Sequence, residues 1–116
     1  MVKVLENDSE FKDIIAKGNV VVDFNATWCG PCRMMGKIME SIEGDYPTVT
    51  FLSVDVDKHP DLAHEFHISS IPAMFFYIDG KKVQVTTSEG QEDFLLGSRP
   101  QDDFMDILDA TFKLNK

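Results

Sequence analysis

The chain has 116 residues, enough for one domain (1–116) with a core that needs no extra staples. Hydrophobic residues make up 43% and charged residues 27%, the balance of a soluble globular protein, and two cysteines are too few for a disulfide-rich secreted scaffold. A net charge of −9 argues against nucleic acid, which rewards lysine and arginine. The longest apolar run, residues 71–78, is far short of a membrane span. Lys3, Glu6, Asp8 and Glu10 leave no secretory h-region at the N-terminus, so a reducing cytoplasm is the expected compartment.

In chain order, Val2 to Leu5 is a short strand candidate. Asn7 with Glu10 three residues on has the spacing of a capping box, and Phe11, Ile14 and Ile15 then form one apolar face that ends near Gly18. Asn19 to Asn25 is a buried strand rich in β-branched residues. From Gly30 to about Glu43 the spacing of Met35, Ile38, Met39 and Ile42 is helical, stopped by Gly44 and Pro47. Val49 to Val56 is a further strand. His59-Pro60 opens a short helix with Pro60 in its first turn and Leu62 and Phe66 facing the core. Ala73 to Ile78 is a strand, Asp79-Gly80 a tight turn, and Lys82 to Thr87 the antiparallel partner. Ser98 and Gln101 give a second capping-box spacing with Pro100 in the first turn, and Phe104, Ile107, Leu108 and Thr111 line the final helix. The order βαβαβαββα predicts an α/β fold: a mixed sheet, parallel through right-handed crossovers, with helices on both faces.

Both cysteines fall in Thr27-Trp28-Cys29-Gly30-Pro31-Cys32, between a strand and a helix start. Two thiols two residues apart close or open a small disulfide ring, which is a two-electron switch. As a mere staple the pair would do little, because so short a loop removes little unfolded-chain entropy. The site sits at the carboxyl end of a strand, where open α/β sheets place their chemistry. Cys29, beside the unpaired N–H groups of the helix N-terminus, is the expected nucleophile. Cys32, one turn in, is the better shielded resolving thiol. A carboxylate inside Val20-Val21-Val22-Asp23-Phe24 is costly to bury charged, so Asp23 should hold its proton more tightly than a surface aspartate.

These residues, with Val54-Asp55-Val56-Asp57, Ile71-Pro72 and Asp79-Gly80, resemble the thioredoxin family over almost the whole length. Ala26-Thr27 before Trp28-Cys29 is similar to eukaryotic cytosolic members more than to bacterial ones. The resemblance implies a thioredoxin fold and a monomeric dithiol–disulfide oxidoreductase that reduces disulfides in other proteins. It implies recycling by a thioredoxin reductase drawing on NADPH, and no cofactor of its own. It further implies that Asp23 is the base for Cys32 and that the peptide before Pro72 is cis, where sequence alone favours trans. Trp28, Gly30, Pro31, Ile71 and Gly97 would line a shallow apolar surface for substrate around Cys29. An interaction module with no use for its thiols is disfavoured by the intact dithiol. An isomerase or oxidant is disfavoured by Gly30-Pro31 and by the missing signal peptide.

Three departures from the family stand out. Lys37, preceded by Gly36, replaces the usual helix proline. Ser53 occupies a position that often carries a lysine or glutamate near the buried aspartate. Sixteen residues separate Gly80 from Gly97, about twice the usual number, and the extra stretch, Thr86 to Phe94, reads as an exposed, polar, acidic loop. His59, His64 and His67 lack the spacing of a zinc set and read as surface histidines, Asp57 as a helix cap, and Met34, Met35 and Met39 as core filling.

Overall fold

A computed structural model describes residues 2–114, and the chain follows the expected order as far as the fourth strand. The elements are β1 (Lys3–Val4), α1 (Phe11–Ile15), β2 (Asn19–Asn25), α2 (Gly30–Ile42), β3 (Val49–Asp55), α3 (Pro60–Glu65) and β4 (Ala73–Ile78). Single 3-10 turns at Asp8–Glu10 and Glu43–Asp45 precede α1 and follow α2. At the first of these the Asn7 N–H donates to Glu10 Oε1 at 3.2 Å, so the Asn7–Glu10 spacing does organise the entry to α1. Helix α2 runs unbroken through Gly36 and Lys37, where no proline interrupts its hydrogen-bond ladder.

β2 is the spine of the sheet. It pairs parallel with β3, in register from Asn19 with Val49 to Asn25 with Asp55, and antiparallel with β4, from Asn19 with Ile78 to Phe24 with Ala73. β1 adds parallel to the far side of β3. Side chains alternate across the pleat, which divides the core in two. Val20, Val22 and Phe24 pack with Phe11, Leu62 and Phe75 on the α1–α3 face. Val21 packs with Met35, Met39 and Phe76 on the opposite face, beneath α2. Asp23 and Asn25 share that second face with Val21. The period of two therefore sends the buried carboxylate under the helix that carries Cys32.

The closing segment departs from expectation. Lys82 to Thr87 is not one strand. β5 (Lys81–Val83) pairs with Phe76 to Ile78, and the chain then leaves the edge of β4. β6 (Val85–Thr87) and β7 (Gly90–Glu92) pair with each other as a separate hairpin closed by Ser88-Glu89. The chain returns as β8 (Leu95–Leu96), which pairs with Ala73 and Met74 on β4. β5 and β8 thus form one edge strand interrupted by an inserted hairpin. The stretch expected to be an exposed loop is held at its base by packing. Val85 and Leu95 are fully buried, and the Thr86 N–H donates to Thr111 Oγ1 at 2.9 Å. Phe94 stacks on Phe75 with ring centroids 4.9 Å apart. At the tip Thr87 Oγ1 accepts from the Glu89 N–H and donates to the Gly90 carbonyl, both at 3.1 Å. Polar and acidic residues do coat the outside, but the β-branched run Val85-Thr86-Thr87 suits a strand, and Val85 supplies its buried anchor.

The last helix, α4 (Gln101–Thr111), buries Phe104, Ile107, Leu108 and Thr111 as expected, but its start differs. Pro100 is the N-cap, with φ −58° and ψ 153°, which leaves Ser98 two residues short of the capping position. Gln101 instead accepts from Ser41 Oγ at 3.1 Å, tying the start of α4 to α2, and Asp102 and Asp103 supply the favourable negative charge of the first turn.

Candidate active site

β2 ends at Asn25, and five residues later α2 begins with Cys29 as its N-cap. Gly30 and Pro31 fill the first turn, where proline's missing N–H is no loss. Cys29 and Cys32 are joined in a disulfide with Cα atoms 5.2 Å apart. Both are buried, at 6% and 4% exposure, so shielding hardly distinguishes them. Hydrogen bonding does. The Cys32 N–H donates to Cys29 Sγ at 3.2 Å, using one of the orphan donors of the helix start. When the disulfide opens, that donor favours a thiolate on Cys29.

The rim of the site comes from three loops. The Ile71–Pro72 peptide is cis, and the Ile71 carbonyl oxygen lies 4.0 Å from Cys29 Sγ. Ile71 and Val56 pack against Ala26, Cys29 and Cys32. Gly97 has φ +86° and donates its N–H to the Pro72 carbonyl at 2.8 Å, a conformation that side chains resist. Gly30, Pro31 and Trp28 are exposed beside the cysteines, Trp28 at 68%. Trp28 is not packing material. Its indole N–H donates to Asp57 Oδ2 at 2.8 Å, which fixes the ring at the surface.

Asp57 is therefore not a helix cap: the N-cap of α3 is His59, and Asp57 is committed to Trp28. No local sequence signal marks this contact, which comes from strand pairing. β2 and β3 are parallel and end together at Asn25 and Asp55, so the loops that follow them meet at one end of the sheet.

Asp23 is 2% exposed, and burial pushes its carboxyl up to about 7, with a partly opposing hydrogen bond from Asn25. Its Oδ2 accepts from Asn25 Nδ2 at 3.2 Å, while Oδ1 has no hydrogen-bond partner among the described residues. Asp23 and Cys32 line one cleft of about 400 Å³, walled by Gly36 and Met39 of α2 and by Asn25 and Ser53 of the sheet. A carboxyl poised near neutrality and a buried thiol thus face the same space, which suits proton transfer between them.

Some expectations need correction. His59 is not a surface histidine: it is buried, with Nε2 2.9 Å from the Leu5 carbonyl and Nδ1 against the Asp8 carboxylate, and it ties the first strand to the third helix. His64 and His67 are exposed. Met35 and Met39 fill the core, but Met34 is 58% exposed on the outer side of α2.

A disulfide at a helix start, a donor aimed at its first sulfur and a near-neutral carboxyl behind its second define a protein disulfide oxidoreductase with a redox-active cysteine pair. The chain belongs to the thioredoxin family, whose model, described as "Thioredoxin", matches residues 2–98. It is 41% identical over 96 residues to a thioredoxin of Chlamydia muridarum, covering 83% of this chain and 93% of that protein. It is 41% identical over 85 residues to thioredoxin-1 of Schizosaccharomyces pombe, covering 72% and 82%. Among solved structures, Plasmodium falciparum thioredoxin superposes with a TM-score of 0.79 at 30% identity, covering 94% of this chain and 98% of that one. Oxidised mitochondrial thioredoxin 3 of Saccharomyces cerevisiae superposes with a TM-score of 0.75 at 32% identity, covering 93% and 94%.

Proposed function

We propose that this oxidoreductase works as a reductant of other proteins' disulfides, with Cys29 attacking, Cys32 resolving and Asp23 moving the proton. The Cys29 thiolate attacks one sulfur of a substrate disulfide. A Cys29–substrate mixed disulfide forms, and the other substrate sulfur leaves as a thiolate. Cys32 then gives its proton to ionised Asp23 and attacks Cys29 Sγ. The Cys29–Cys32 bond closes, and the second substrate sulfur is released with the electron pair. The substrate gains two electrons, and this chain loses two. The observation that carries the assignment is the 3.2 Å hydrogen bond from the Cys32 N–H to Cys29 Sγ, which singles out Cys29 as the stabilised thiolate.

Trp28, Gly30, Pro31, Ile71, Pro72 and Gly97 form the substrate surface in this reading, with the Ile71 backbone available for hydrogen bonds to an extended peptide. Recycling falls to a thioredoxin reductase using NADPH. The setting is a reducing cytoplasm, where dithiols persist, and the working form is the monomer, one domain spanning 1–116. No helix among the described residues is long and apolar enough to cross a membrane. Ala26-Thr27 ahead of Trp28 supports a eukaryotic cytosolic type.

The test is turnover of a protein disulfide, such as insulin, with a thioredoxin reductase and NADPH. Cys32→Ser should accumulate a mixed disulfide on Cys29, and Cys29→Ser should abolish attack. Wild-type turnover by Cys29→Ser would overturn the assignment.

A further inference from the structure

Asn25 lies half-buried at the end of β2, two residues from Asp23 and on the same face of the strand. Its side-chain Nδ2 is shared among three oxygens: the Asp23 backbone carbonyl at 3.0 Å, Asp23 Oδ2 at 3.2 Å and Ser53 Oγ at 2.8 Å. The carbonyl can only accept, which fixes the amide with its NH₂ towards Asp23. Ser53 is the registered partner of Asp23 on the parallel neighbour β3, so the anchor is built into the strand pairing itself. An oxygen that accepts from an amide is the poorer place for an acid proton. The proton of neutral Asp23 therefore belongs on Oδ1, the oxygen with no hydrogen-bond partner among the described residues.

We propose that Asn25, anchored by Ser53, is a positioning residue for proton transfer: it holds Asp23 Oδ2 as an acceptor and reserves Oδ1 for exchange with Cys32. The proposal rests on the assignment of Asp23 as the base. A neutral donor keeps a carboxylate usable without adding a permanent charge beneath α2. In the reducing step the Cys32 S–H bond breaks as the Asp23 O–H bond forms, with the charge passing from carboxylate to thiolate. Loss of the donor disfavours the carboxylate and moves that exchange to higher pH.

Other groups around Asp23 constrain the interpretation. Its strand neighbours in the pairing, Ser53 on β3 and Met74 on β4, do not titrate below pH 12. The charged residues lining the cleft are Arg33 and Glu40 of α2 and Glu43 at its end, with Cys32 itself once reduced. They stay in place when Asn25 is changed, so a shift produced at Asn25 is not theirs.

The experiment follows the Asp23 carboxyl by NMR across pH in the oxidised protein, and the pH dependence of mixed-disulfide resolution in the reduced one. Asn25→Val should raise the Asp23 midpoint by about half a unit to one unit. Resolution below that midpoint should slow by roughly three- to tenfold. Asn25→Thr, of the same shape but with a hydroxyl donor, should recover part of the shift. Ser53→Ala removes the anchor from a different strand and should move the midpoint in the same direction by less. In an Asp23→Asn background, Asn25→Val should leave the resolution profile where Asp23→Asn alone put it. If Asp23→Asn does not alter the profile, the base assignment fails. If it does, while Asn25→Val and Ser53→Ala leave the Asp23 midpoint unmoved, the positioning role is refuted.

Discussion

Replacing Asp23 by asparagine should stabilise the oxidised protein at neutral pH, and the size of the gain should depend on pH. In the unfolded chain this carboxyl titrates near its ordinary value of 3.8, whereas in the folded protein burial raises it to about 7. Between those values the folded state holds a proton that the unfolded state has released, so stability falls as pH rises. The contribution is fully present below pH 3.8 and is lost by the time pH passes 7. A separation of roughly three units at about 1.4 kcal/mol each corresponds to about 4 kcal/mol. Asparagine keeps the shape and the acceptor that Asn25 uses, and it never ionises. The variant should therefore gain little at pH 4 and most above pH 7, up to about 4 kcal/mol less whatever the amide loses in a cavity built for a carboxyl. Urea denaturation of both proteins from pH 4 to 9, under non-reducing conditions, measures the difference directly. A difference that is flat with pH, or that shrinks as pH rises, would refute the idea that Asp23 is buried at the expense of its charged form.

Gly97→Ala should lose about 1–2 kcal/mol in the same denaturation assay, because φ of +86° suits glycine while no atom lies within 4 Å of the added Cβ. Wild-type stability in that variant would mean that the rim does not depend on the backbone turn at Gly97. Deleting Thr87 to Asp93, so that Thr86 and Phe94 are joined by a short turn, should keep the fold and nearly all insulin reduction. Val85, Leu95 and the Phe94–Phe75 stack remain outside the deletion. Loss of folding would show that the hairpin is structural. A Cys32→Ser trap that captures different proteins with and without the hairpin would show that it selects partners.

The redox site was legible in the sequence because its requirements are local. Two residues between the cysteines, a strand before them and an apolar helix after them place both thiols at a helix start. The unbroken apolar run around Asp23, Val20 to Phe24, likewise marks it as buried before any neighbour is known. Other features depended on which chain ends meet in space. Trp28 and Asp57 are 29 residues apart and touch only because β2 and β3 run parallel and stop together. His59 reaches Leu5 across 54 residues of sequence, so its burial belongs to the docking of α3 on β1. The hairpin was missed because its acidic surface outweighed a strand pattern of only three residues on each side. What fixes it is the burial of Val85 and Leu95 against elements elsewhere in the chain. Likewise the 3.2 Å contact from Asn25 to Asp23 is local in sequence, yet its anchor is Ser53 on the neighbouring strand. The sequence by itself determined the redox pair and the buried carboxyl near it, because Cys29, Cys32 and Asp23 lie within ten residues. Only the tertiary structure decided which groups hold that chemistry in place, because those contacts are set by strand register and not by local spacing.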